Sequence, residues 1–169
     1  RQLHAAFSSG QKVAVIGAGL IGLELAALAK QKGCQVNVFE GGSRIMSRAV
    51  PAELSEILYR RHTDEEVRIF CDHRLEKISA AHSARQLHFS NGFSIAADVI
   101  VAGIGSQPIT DLAEKSGLTT SDGIVVDGHL RTDDPNVFAA GDCCRLPLTV
   151  YDDYSARLES WRVAQQQGY

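Results

Sequence analysis

The stretch VAVIGAGLIGLELAALAKQKG, residues 13–33, decides the fold. Its glycines Gly17, Gly19 and Gly22 spell G-x-G-x-x-G directly after a short apolar run. The first glycine allows a tight strand-to-helix turn, the second lets backbone approach a pyrophosphate, and the third lets helix and strand pack closely. The helix that follows offers free N–H groups and the positive end of its dipole to phosphates. Lys12–Ile16 reads as a buried strand, and a helix over Leu20–Lys32 stops at Gly33. Gln35–Glu40 (QVNVFE) reads as a second strand, which completes a βαβ unit. Glu40 stands 18 positions after Gly22, where the fingerprint calls for an acid. A glycine-rich turn without a ligand is the alternative, but strand, turn, helix and acid in register favour a dinucleotide. NAD and FAD share the fingerprint, so the motif leaves the choice between them open.

Working outward, Pro51 sits where a first-turn proline is tolerated, and PAELSEILYRRH continues as an amphipathic helix. Glu66–Phe70 reads as a third strand. Leu75–Ala80, Arg85–Ser90 and Phe93–Ala96 then alternate in period two, with the hairpin signal Asn91-Gly92 between the last two. Asp98–Ala102 (DVIVA) returns to the buried parallel type. The expected fold is α/β: a Rossmann-like parallel sheet with an inserted antiparallel β-meander. After Gly105 a short helix over Asp111–Ser116 precedes GIVVDGHLRTDDPNVFAAGD, which reads as two short strands joined by a loop. A polar helix over Ser155–Gln167 carries the single tryptophan, Trp161. A boundary falls within residues 106–122, which divides the chain into domains at 1–110 and 111–169.

The totals exclude several classes. With 44% apolar and 22% charged residues, the composition is that of an ordinary soluble globular chain. A net charge of −3 gives no reason to expect nucleic acid or a membrane surface. No apolar run approaches the roughly 18 residues of a membrane-spanning helix. No signal peptide is visible, although the start at Arg1 reads as a cut from something longer. Cys34 and Cys71 sit in apolar, strand-like surroundings and read as small core residues. No two of the four cysteines form C-x-x-C, and a reduced, cytoplasmic protein is the natural expectation. His4, His62, His73, His82, His88 and His129 are scattered without metal spacing and read as surface residues. No serine–histidine–acid triad is suggested, and no general acid or base is assigned.

Glu40 also bears on which nicotinamide cofactor fits. A carboxylate there can accept both adenosine ribose hydroxyls and would repel a 2′-phosphate. Arg44 and Arg48 pull the other way, since guanidinium groups bind phosphate well; either can equally be part of a solvated loop. The balance favours NAD over NADP.

With these pieces placed, the sequence resembles the FAD-dependent pyridine-nucleotide oxidoreductases that carry two dinucleotide-binding domains. Within them it is most similar to the NADH-dependent ferredoxin (rubredoxin, putidaredoxin) reductase branch. The resemblance rests on VIGAGLIGLELAA, on FEGGSRIMSRAVPAELSE with its glutamate and spaced arginines, and on ADVIVAGIGSQP. GIVVDGHLRTDDPNVFAAGDCC, with T-x(5)-VFAAGD similar to the family's second FAD motif, and RLESWRVAQQQG follow as the most specific blocks. The resemblance implies that Gly17, Gly19, Leu20, Ile21 and Gly22 wrap the NAD pyrophosphate, with Glu24 towards the nicotinamide end. It implies that Glu40 and Arg48 address the adenosine half, and that Gly103, Ile104 and Gly105 pass beside the cofactor. Asp142 would hydrogen-bond the ribityl chain of FAD, and Trp161 would lie beside the isoalloxazine ring. The plainer alternatives are a helix-surface role for Glu24, a turn cap for Asp142 and a packing role for Trp161.

Some positions depart from the family pattern. TDEEV at 63–67 lacks the usual glycine before its strand, which strains the turn. Ile109 stands where asparagine is common. Cys143-Cys144 reads as a packing pair, since adjacent cysteines rarely form a disulfide. The family's first G-x-G-x-x-G unit and its redox-active cysteine pair are both absent from the 169 residues. The chain therefore resembles the NADH domain plus the first returning segment of the FAD domain.

The implied chemistry is hydride transfer from NADH C4 to flavin N5, then single-electron delivery to a ferredoxin-like protein. An NADH oxidase, a nitrite reductase subunit and a non-catalytic NAD(H)-responsive module are the rival family roles. The chain alone is expected to bind NADH and to hold FAD poorly or not at all. Residues from about Gly128 onward are expected to lack their native sheet partners, which leaves them mobile, packed non-natively or exchanged with a second copy in a homodimer.

Overall fold

The computed structural model describes residues 7–81 and 84–168. His4 and His82 lie outside them. The chain divides into two compact units, Arg1–Gly105 and Ser106–Tyr169.

In the first unit, four strands form a parallel sheet in the order β3-β2-β1-β7. They are β1 (Lys12–Ile16), β2 (Gln35–Phe39), β3 (Arg68–Phe70) and β7 (Val99–Ala102). The central strand β1 pairs with β2 from Lys12↔Gln35 to Ile16↔Phe39 and with β7 from Val13↔Val99 to Ile16↔Ala102. Alternation along β1 sorts its side chains between two cores. Val13 and Val15 join Val36, Val38 and Val101 beneath Leu23, Ala26 and Ala29 of helix α1 (Leu20–Gln31). Leu58 and Tyr59 of α2 (Ala52–Asp64) pack on the same cluster. Ala14 and Ile16 point the other way, towards Phe39, Leu87, Phe89 and Ala97. A sheet covered on both faces needs such continuous apolar strands.

The second cover is the expected meander: β4 (Leu75–Ala81), β5 (Ala84–Phe89) and β6 (Ser94–Ala97), antiparallel in that order. Phe39, fully buried, joins sheet to meander, its ring 4.4 Å from Phe89 and 5.1 Å from Phe70 between centroids. Offset aromatic contacts of this kind add to what burial alone contributes.

The third strand is shorter than expected and starts at Arg68. Ahead of it Glu66 adopts φ +60° and its N–H bonds the Thr63 carbonyl, so the chain turns out of α2 where the strand was expected to begin. A left-handed φ of this kind favours glycine, the residue that TDEEV lacks.

The second unit contains α3 (Asp111–Lys115), β8 (Ile124–Val125), β9 (Cys144–Leu148), β10 (Tyr154–Ala156) and α4 (Trp161–Gln167). Its sheet has the order β10-β9-β8, with β9 parallel to β8 and antiparallel to β10. Only the first strand expected within 123–142 forms. The second reduces to a bridge between Arg131 and Phe138, because side chains claim the intervening backbone. The Asp127 carboxylate accepts the N–H groups of His129 and Arg131, and that of Asp134 accepts the N–H of Asn136. The expected helix over Ser155–Gln167 begins only at Trp161, since Ser155 and Ala156 pair with Pro147 and Leu146. Beyond Gly128, Cys144–Leu148 pairs with β8 through Cys144 and Arg145 and with β10 through Leu146–Leu148. Among the described residues no helix is long and apolar enough to cross a membrane.

Candidate functional site

The strand order places the chain's first turn at a switch point: β2 and β3 lie to one side of β1, β7 to the other. Open α/β sheets bind ligands in the crevice outside the carboxyl ends of strands flanking such a point. A cleft of about 500 Å³ opens there, and Gly17, Gly19, Glu40, Arg48, Gly103 and Ile104 line it.

Three backbone bonds tie the strand ends together. Gly17 N–H donates to the Phe39 carbonyl (2.8 Å), Gly103 N–H to that of Ile16 (2.7 Å), and Met46 N–H to that of Ala18 (2.9 Å). The glycines divide by what a side chain would meet. Gly17 has φ +95°, and a Cβ on it would overlap the Gly103 carbonyl; a Cβ on Gly22 would overlap that of Gly17. Gly19 differs: its φ of −80° suits any residue, and a Cβ there would meet nothing within 4 Å. Packing therefore does not demand glycine at 19, whereas close approach of an external group would.

Gly19 caps α1, whose first turn carries no acidic residue and no side-chain cap. The helix N-terminus thus presents uncommitted N–H groups, the arrangement that suits a phosphate. Leu20 and Ile21, in the same turn, are 61% and 64% exposed. Gly22 is buried against β1, and Glu24 is exposed one turn further along, away from the cleft lining.

Glu40 reaches the same loop. Its Oε2 accepts the Ala18 N–H at 2.8 Å and its Oε1 the Gly42 N–H at 2.9 Å. The two arginines of this loop differ in their contacts. Arg44 donates to the carbonyls of Val50 and Ser47 and to Ser55 Oγ, so it pins the loop onto α2. Arg48 is exposed, lines the cleft, and places Nη2 3.7 Å from where a Cβ on Gly105 would lie.

His73, Arg74 and Leu75, just beyond the carboxyl end of β3, complete the cleft. Sequence reasoning missed them, although the rule that ligands bind beyond strand carboxyl ends applies to β3 as it does to β1 and β2. His73 corrects the expectation of surface histidines. Its ring lies 5.3–6.1 Å from those of Phe39, Phe70, Phe89 and Phe93, and Nδ1 is 2.7 Å from the Cys71 carbonyl. His62 and His88 are also partly buried, and His88 Nε2 lies 2.9 Å from Ser79 Oγ. His129 is exposed, as expected.

Asp142 and Trp161 belong to the second unit. Asp142 sits exposed in a 3₁₀ turn over Gly141–Cys143, and its main-chain carbonyl accepts a bond from Arg157 Nη1. Trp161, at the start of α4, is 75% exposed. Cys34 and Cys144 are buried free thiols, while Cys71 and Cys143 are half-buried. Burial pushes the thiols of Cys34, Cys71 and Cys144 above their ordinary range.

The family model "pyridine nucleotide-disulphide oxidoreductase" matches residues 1–168. The chain is 36% identical over 169 residues to the ferredoxin–NAD(+) reductase component of the 3-phenylpropionate/cinnamic acid dioxygenase of Photorhabdus laumondii subsp. laumondii. The match covers 99% of this chain and 42% of that protein. Among solved structures, it is similar to the ferredoxin reductase for the CYP199A2 system of Rhodopseudomonas palustris, with 37% identity and a TM-score of 0.88, over 93% of this chain and 39% of that one. It is similar also to the putidaredoxin reductase of a covalent putidaredoxin complex, with 31% identity and a TM-score of 0.89, over 99% and 40%. The chain thus spans about two fifths of the length of these relatives.

Proposed function

Because the chain belongs to the pyridine nucleotide-disulphide oxidoreductase family, we propose that it is the NAD(H)-binding portion of a flavoprotein, one that passes electrons from NADH through FAD to a ferredoxin-like iron–sulfur protein. In this assignment residues 1–110 are the NAD(H)-binding domain and 111–169 a partial return segment of the FAD-binding domain. Gly17, Gly19, Leu20, Ile21 and Gly22 surround the pyrophosphate, Glu24 lies towards the nicotinamide end, and Glu40 with Arg48 takes the adenosine half. Gly103, Ile104 and Gly105 pass beside the cofactor. Asp142 and Trp161 face the flavin's ribityl chain and ring.

The observation that carries the dinucleotide assignment is Gly19, a glycine with ordinary backbone angles and open space above it, at an uncapped helix N-terminus. The carboxylate of Glu40, held by the glycine loop itself, supports an adenosine ribose beside it. Flavin, when bound, supplies acceptance of the nicotinamide hydride and release of single electrons, and the chain supplies binding and orientation. The acceptor class is supported by the ferredoxin reductase and putidaredoxin reductase relatives.

Gly19→Ala tests the assignment directly. The substitution is expected to leave thermal stability nearly unchanged, because the new methyl group meets no protein atom. It is expected to raise the NADH Kd by more than about tenfold, since the methyl occupies the approach of the pyrophosphate. Calorimetric titration of both proteins with NADH measures this, and equal affinities would remove Gly19 from the site.

A further inference from the structure

We propose that a second cavity, at the amino ends of β2 and β3, binds a small hydroxycarboxylate through Asn37, Arg68 and Lys30. It lies at the end of the sheet opposite the glycine loop and stands independently of the dinucleotide reading.

The cavity measures about 250 Å³ and is lined by Lys30, Gln35, Val36, Asn37, Glu66 and Arg68. Gln35 opens β2 and Arg68 opens β3, whereas the first cleft lies beyond the carboxyl ends of these strands. Asn37 is the feature that needs explaining. It stands between Val36 and Val38 in the middle of β2 and is only 8% exposed. Its Oδ1 is buried and accepts no hydrogen bond from a described residue. The other buried polar side chain among the described residues, Ser55, donates to the Ile45 carbonyl and accepts from Arg44. An orphaned buried amide oxygen costs stability that an apolar side chain of the same shape would not. A polar group that breaks the local packing rule without a structural return points to a ligand.

Charge supplies the other half of that ligand. Asn37 and Arg68 are register partners, so their side chains share one face of the sheet. Arg68 is exposed and makes no hydrogen bond or ion pair with a described residue. Lys30 gives one of its three N–H groups to Glu66 at 2.9 Å. Two cations against one carboxylate leave the lining with a net positive charge, which suits a monoanion. A ligand carboxylate would pair with Arg68 and Lys30, and a neighbouring hydroxyl would donate to Asn37 Oδ1. Because a hydroxyl both donates and accepts, it matches the amide in either orientation. The volume is that of about eight waters, enough for a three-carbon hydroxy acid.

Glycerate, propionate and glycerol are titrated into the isotope-labelled chain, and the amide shifts of residues 35–37 and 66–68 give each Kd. Glycerate is expected to bind in the millimolar range. Propionate and glycerol, each lacking one half of the ligand, are expected to bind about fivefold or more weakly. R68A is expected to weaken glycerate by about fivefold or more. N37L, with the same branched shape, is expected to raise the Tm by about 2–4 °C and to bring glycerate and propionate to one Kd. The three probes on the unmodified chain decide the matter even if N37L fails to fold. Equal Kd values for glycerate and propionate there overturn the inference, as does an absence of shifts at about 50 mM glycerate. A folded N37L that still prefers glycerate overturns it too, and so does one that melts below the parent, because water would then already satisfy the amide.

Discussion

Glu66 holds a backbone conformation that side chains other than glycine seldom take, with φ at +60°. The position is fixed from both sides: the Glu66 N–H closes on the Thr63 carbonyl and the Val67 N–H on that of His62, which ends α2. Two local effects oppose each other there. The left-handed backbone disfavours any Cβ, whereas the carboxylate gains the Lys30 ammonium at 2.9 Å, which holds it below its ordinary range. Glu66 is largely exposed, and ion pairs in that setting contribute little and weaken with salt. Backbone relief should therefore win. Glu66→Gly is expected to raise the Tm, and Glu66→Ala, which keeps the strain and loses the pair, to lower it. The gap between them should persist in high salt, while the difference between Glu66 and alanine shrinks. A glycine variant that melts below the parent would show that the Lys30 pair outweighs the strain.

At the scale of elements, the join between parallel sheet and meander is an aromatic core of the first unit. Phe39 is fully buried there among Phe70, Phe89 and Phe93. Phe39→Ala is expected to destabilise the chain by about 3–5 kcal/mol in urea unfolding, through lost burial and the cavity left behind. A loss under about 1 kcal/mol would mean that the meander does not cover this face. These elements were legible because each carries its own period: apolar runs in β1 and β7, one broken only by Asn37 in β2, alternation in β4, β5 and β6, and Asn91-Gly92 at the turn. The glycine loop and Glu40 were legible for the same reason, since their chemistry lies in contiguous spacing. β9 and β10 were not. Pro147 lies inside β9 and argues locally against a strand, but β8 pairs only with Cys144 and Arg145, so no ladder bond is lost there on that side. His73 and Arg74 escaped because topology, not sequence distance, brings the end of β3 beside β2. Residue chemistry alone weighed Arg44 and Arg48 alike and only the family resemblance singled out Arg48; the contacts of Arg44 with Ser55 and Val50 give that difference a physical form.

For the whole molecule, the decisive fact is that the chain holds one G-x-G-x-x-G turn and spans about two fifths of its relatives' length. A protein that holds NADH and FAD together needs two pyrophosphate cradles, and the one G-x-G-x-x-G turn here, proposed as such a cradle, belongs to the first unit, at the carboxyl end of β1. In the proposed assignment the second unit would meet the flavin with Asp142 and Trp161, both exposed. Among its described residues no helix N-terminus follows a strand and a glycine turn. Much of the affinity for a dinucleotide comes from its diphosphate, because that is where charge and backbone donors meet. Two side-chain contacts to the remaining half cannot replace it. The purified chain is therefore expected to lack stoichiometric flavin absorbance and to remain unsaturated with micromolar FAD, while still quenching or shifting NADH fluorescence on titration. The two ligands separate the possibilities cleanly. Binding of NADH without FAD places the complete nucleotide site in the first unit, as proposed. Stoichiometric flavin that survives gel filtration would mean that the second unit builds a cradle of its own, and the flavin assignment of Asp142 and Trp161 would then have to be redrawn around it.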